Sequence, residues 1–214
     1  MHLIMKKLSF TCILLGSIFV SFAQSFEGVI DFRKTNGAEK VYYSYTVKGT
    51  KVRIDEKSED GVTVIATLLV DLSSKEILAL SHDRKLFMKR EAHTTERVSN
   101  SPKIIRSGNR RFIGDQDCEQ WRVKSESDNT EISYWVTKGN YDFFLPLLGV
   151  LGRKDRFATY YLAIPDREGY FPVDAVERDA QRNEKGRLEV LNISAKKLND
   201  NLFAVPSNYM QMEN

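Results

Sequence analysis

Few residues in this chain are of the kinds that carry out chemistry. Beyond His2, the histidines are His82 and His93, so proton transfer by imidazole has two candidates. No Gly-x-Ser-x-Gly turn exposes a nucleophilic serine, and no His-Glu-x-x-His pair offers zinc ligands. Cys118 has no histidine near it in sequence and sits in an alternating stretch, where a lone cysteine reads as a small packed hydrophobe. Asp115, Asp117 and Glu119 are spaced like calcium ligands on a loop, but the rest of such a loop is missing. Lys103, Arg106, Arg110 and Arg111 cluster around Gly108 and could meet a phosphorylated headgroup. Asp115 and Asp117 stand close enough in sequence to neutralise them. The expectation is a non-enzymatic protein with no catalytic residue, metal or cofactor.

Apolar residues make the stronger signal. Residues 141–151, Tyr-Asp-Phe-Phe-Leu-Pro-Leu-Leu-Gly-Val-Leu, are nearly all apolar and poor in β-branched side chains. They predict a short helix, distorted by Pro146 and Gly149. Amphipathic surface helices show a polar face. This one offers only Asp142, so something must cover it. Phe143, Phe144, Leu147, Leu148 and Leu151 then either touch an apolar ligand as a lid or complete the core as a plug. Tyr43, Tyr45 and Phe87 would line the same pocket or belong to the same core.

The elements around these residues are strands. Phe26, Gly28, Ile30 and Phe32 share one face at period two, and Val41, Tyr43, Tyr45 and Val47 share another. Asn36-Gly37, Lys48-Gly49 and Asp60-Gly61 are turn signals. Val62, Val64, Ala66, Leu68, Val70 and Leu72 form an apolar face, with Ile65 and Leu69 on the reverse. That pattern predicts a strand covered on both sides. Residues 92–103 read as a loop. Alternation resumes from 103 to 136, and again over 170–178 and 187–197. Roughly nine or ten strands with turns every ten residues or so predict an antiparallel up-and-down meander.

The chain opens with a basic pair, Lys6 and Lys7. An apolar run over residues 8–20 follows, and then Ser21-Phe22-Ala23. This is the pattern of a secretory signal peptide cleaved before Gln24, and the run is too short to span a membrane comfortably. Residues 24–214 are then expected as one domain with a real core. The full chain has a net charge of +3. Two of those charges leave with Lys6 and Lys7, so the mature protein has little pull toward nucleic acid. Its one cysteine permits no internal disulfide, and it is expected to be soluble in the periplasm of a Gram-negative bacterium.

Several pieces, in order, resemble an uncharacterised family of exported bacterial proteins grouped with the lipoprotein-carrier fold of LolA and LolB. They are Phe26-Glu-Gly-Val-Ile30, Val47-Lys-Gly-Thr-Lys-Val-Arg-Ile54, Leu69-Val-Asp-Leu72, Cys118-Glu-Gln-Trp121, Tyr134-Trp-Val-Thr-Lys138, and the ending over residues 198–209. The resemblance implies a mainly β fold. A single antiparallel sheet would curl into a half-open barrel around an apolar cavity, with the 141–151 segment as lid or plug. Two functions are compatible with it. One is a carrier binding a lipid, a lipoprotein acyl chain or another apolar ligand. The other is a structural or interaction module for an envelope protein, with a filled core.

Overall fold

The computed structural model describes residues 25–92 and 102–212, so the signal segment, Gln24 and His93 lie outside the described residues. Six strands come first: β1 (Gly28–Asn36), β2 (Glu39–Lys48), β3 (Lys51–Lys57), β4 (Val64–Asp71), β5 (Glu76–Ser81) and β6 (Leu86–Arg90). Next are β7 (Lys103–Ile113), β8 (Gln116–Ser125) and β9 (Thr130–Lys138), then α1 (Phe144–Leu151) and α2 (Arg156–Leu162). The chain ends with β10 (Tyr170–Asp179), β11 (Glu184–Ala195), a 3-10 turn (Asp200–Phe203) and β12 (Met210–Gln211).

All twelve strands join one sheet in the order β12-β6-β5-β4-β3-β2-β1-β11-β10-β9-β8-β7. The expected curled, unclosed sheet with a short apolar helix is present. Three details depart from the simple meander. First, there are two meanders, β1–β6 and β7–β11, joined by the pairing of β1 with β11. The consecutive strands β6 and β7 therefore lie near opposite ends of the sheet. Second, β12 pairs with β6 in parallel, because the tail returns across the sheet before it reaches that edge. Third, α2 is a second helix, which the strand-dominated pattern does not predict.

The joint between the meanders explains one glycine. A Cβ on Gly28 would lie 2.2 Å from the Ser194 carbonyl oxygen of β11. No side chain fits where the two backbones approach that closely.

One face of the sheet carries the apolar core. Ile30, Val47 and Val52 from the first meander and Trp121, Val123 and Ile132 from the second are almost wholly buried. They form one cluster with Leu147 of α1 and Tyr161 of α2. A side chain of this kind contributes about 1.5–3 kcal/mol when fully buried. The two helices supply the second layer that a one-sided sheet needs.

The reverse face carries a row of polar groups and is buried where the tail crosses it, while Ile65, expected to be covered there, is 49% exposed. Asp31, Ser44, Asp55 and Thr67 lie level with one another across β1–β4. The Ser44 hydroxyl donates to Asp31, and the Thr67 hydroxyl donates to Asp55 at 2.5 Å. In the second meander, Asp174 is 3% exposed and held by Arg111 at 2.9 Å and Arg187 at 2.8 Å. The apolar face expected to begin at Val62 begins at Ala66, because a register shift between Glu56 and Lys57 sets Val64 level with Lys57. Val62 is 76% exposed, because Asp60 takes the backbone N–H groups of Val62 and Thr63 into its turn.

Candidate functional site

A cleft opens between the core face of the sheet and the helices. It has a volume of ≈ 590 Å³, part of which is open to solvent. Phe32, Tyr43 and Tyr45 form one wall. The Phe32 ring stacks on Tyr43 at 5.3 Å and meets Tyr45 edge-on at 4.6 Å. Leu188 and Val190 of β11 continue that wall. Phe144 and Leu148 of α1 and Phe157 and Ala158 of α2 form the roof.

The helices are pinned by hydrogen bonds to backbone carbonyls. The Tyr134 hydroxyl of β9 donates to the Phe157 carbonyl at 3.0 Å. The Tyr161 hydroxyl donates to the Tyr170 carbonyl at 2.9 Å. Phe144 meets Tyr161 edge-on at 5.5 Å and Phe171 at 4.8 Å, which ties α1 to α2 and to β10. Between the helices, Gly152 caps α1 in the left-handed region at φ 54°, where glycine carries no Cβ penalty. Asp155 caps α2 by accepting from the Ala158 N–H at 3.3 Å.

One end of the cleft is polar. Arg153, Asp155 and Lys34 line it. Lys34 lies 3.6 Å from Asp155 and 5.9 Å from the Phe157 ring centre. The Arg153 guanidinium lies 6.0 Å from the Tyr43 ring centre. Burial pushes the Tyr43 phenol up to about 12 and also raises Tyr45, so both hydroxyls stay protonated and can donate.

Of the eight residues named from sequence, Tyr43, Tyr45, Phe144 and Leu148 line the cleft. Phe143 and Leu147 are buried in the adjoining core, and Leu151 packs against it half-buried. Phe87 is elsewhere. It lies level with Leu80, which lies level with Thr67 and Asp55, so it occupies the reverse face. Reading β6 as an isolated strand does not reveal which face is which.

The structure also places residues at the cleft that sequence reasoning missed. The Asp155 cap before Phe157, Tyr160 and Tyr161 was a legible helix signal. Arg153 carried no signal at all. Several of the other candidates for chemistry are engaged elsewhere. Arg110 pairs with Asp117, Glu119 accepts from the Trp121 indole at 3.0 Å, and Arg106 lies 4.4 Å over the Trp121 ring. His82 is held between Thr67 at 2.7 Å and the Tyr209 hydroxyl at 2.6 Å, on the reverse face.

Residues 26–209 match the model of a family described as a domain of unknown function, DUF4412. No protein of curated function matches. Among solved structures, an uncharacterized conserved protein from Thermus thermophilus superposes with a TM-score of 0.51 at 9% identity, covering 87% of this chain and 90% of that one. A chain of the Pseudomonas aeruginosa MucA/MucB complex gives 0.38 at 10% identity, covering 82% of this chain and 54% of that one. A domain described as an outer membrane lipoprotein-sorting protein, from Vibrio parahaemolyticus, gives 0.31 at 9% identity, covering 82% and 87%. The first likeness is one of fold alone. No helix among the described residues is long and apolar enough to cross a membrane.

Proposed function

We propose that this chain, which belongs to the family described as a domain of unknown function, DUF4412, is a non-enzymatic binding protein of the periplasm that holds an apolar ligand of the lipid class between its sheet and its helices. The observation that carries the reading is the cleft itself, apolar along the sheet wall and helix roof and polar at one end only. The helix pair is the part fitted to admit a ligand. Its two short helices are joined through Gly152, and a few residues at element ends are enough to form a hinge.

The test is extraction of the purified protein with organic solvent, analysis of the extract for lipid, and uptake of a fluorescent fatty acid by the delipidated protein. Uptake is expected. It should fall in Val190→Trp, which fills the cleft from a strand position that tolerates an aromatic, while the strand signal in circular dichroism is unchanged. Phe144, Leu147 and Leu148 are already buried, which favours a second reading of an interaction module with a filled core. Absence of both lipid and uptake would leave that second reading in place of the first.

A further inference from the structure

The polar end of the cleft contains a group with nothing to bond. The Arg153 Nε is buried and has no hydrogen-bond partner. An unsatisfied buried donor costs about 1–3 kcal/mol, and more when it belongs to a charged group. The guanidinium is a fork of five donors with no acceptor, and it sits among side chains that only partly answer it. Asp155 is occupied by Lys34 and by the N–H of Ala158. The Tyr45 hydroxyl lies close enough to the guanidinium to hydrogen-bond with it, but it is a neutral partner. Glu56 lies level with Tyr43 on the neighbouring strand and contributes negative charge nearby, outside the lining. The lining itself thus holds two cations, Lys34 and Arg153, against one carboxylate.

We infer that Arg153 is a receptor for the carboxylate of a single-chain fatty acid, whose hydrocarbon lies along Phe32, Val190 and Phe157. This rests on the apolar-ligand reading above and adds to it the charge and orientation of the ligand. A carboxylate presents two oxygens in a plane, which matches the Nε–Nη edge of a guanidinium with two parallel bonds. It also supplies the acceptor that Nε lacks. The Tyr45 hydroxyl beside the guanidinium adds a neutral donor. Once the head is held there, the apolar walls admit only a chain.

Calorimetric titration of the delipidated protein with lauric acid, lauryl alcohol and methyl laurate tests this at neutral pH. The acid is expected to bind about 10- to 100-fold more tightly than the alcohol or ester, the contribution of a charge-assisted hydrogen bond. In Arg153→Met that preference should vanish while alcohol binding remains, and Arg153→Lys should restore part of it. The wild-type comparison needs no variant, so it stands even if Arg153→Met fails to fold. Equal binding of all three by the wild type would overturn the carboxylate assignment and leave the apolar-ligand reading intact. Binding of none would overturn both. A preference for the acid that survives in folded Arg153→Met would take the receptor role away from Arg153.

Discussion

Cys118 shows how the sheet settles the chemistry of one side chain. It is wholly buried on β8, level with Thr137 of β9, on the face away from the cleft. Burial pushes its thiol up to about 11, against the opposing pull of the Arg111 cation. The thiolate is the nucleophile, so this cysteine should be inert in the native protein. Labelling with a maleimide is expected to be slow in buffer and complete in denaturant. Cys118→Ala should keep the fold at a cost of about 1 kcal/mol, read from the urea midpoint. Fast labelling of the folded protein would mean that β7 leaves this site open. Arg153 is the contrasting case. Its charge is also held by the fold, but at the lining of the cleft.

At the scale of elements, the C-terminal tail is the least expected device. It starts beside β1, where Lys196 N–H donates to the Glu27 carbonyl at 3.0 Å and Leu198 N–H to the Glu27 carboxylate at 2.7 Å. It then crosses the reverse face. Lys48 donates to the Leu198 carbonyl at 2.9 Å, Arg53 to the Leu202 carbonyl at 3.3 Å, and Tyr209 meets His82. It finishes as β12, with Met210 and Met212 bonded to the edge of β6. This strap lies over the face that holds Thr67, Leu69 and Leu80, each under 9% exposed. Tyr209→Phe should cost about 1 kcal/mol in chemical denaturation, the usual worth of one hydrogen bond. Truncation after Ala195 should cost several times more and promote aggregation through the bared β6 edge. Unchanged stability on truncation would show that the strap covers nothing of consequence. The sequence allowed part of this to be read. Period-two alternation located β1 to β3, β8 and β9, since those strands bury one face each. The apolar run at 141–151 announced α1. Strand order was not legible, because the β1–β11 pairing joins residues far apart in sequence. Phe87 was misplaced because the short strand β6 does not by itself reveal which face is which. Arg153 lies between two helices, where no periodicity applies.

For the whole molecule, the open sheet has to be stabilised by its filling, and much of the filling is tyrosine. Tyr45, Tyr134, Tyr160 and Tyr161 are each no more than 5% exposed, and Tyr141 is 8% exposed. Burial raises all five, together with Tyr43 and Tyr170. That makes seven of the nine tyrosines in the chain. The consequence for stability has a definite sign. Below the ordinary phenol range, near pH 10, both states keep the proton and nothing changes. Above it the unfolded chain releases protons that the folded chain retains, so stability falls as pH rises. Tyr43, raised from 10.0 to about 12, loses its contribution across that window. The other six shift in the same direction, so each adds to the loss of stability above that range. The protein is therefore expected to unfold cooperatively above pH 10. Most of the tyrosinate absorbance should appear together with the loss of near-ultraviolet circular dichroism. If the proposed fatty acid binds, it should move that transition upward, since a ligand held only by the folded state stabilises it. If the tyrosines titrated fully near pH 10 with the dichroism intact, the helices would not be sealing the core face, and the cleft would have to be far more open than described.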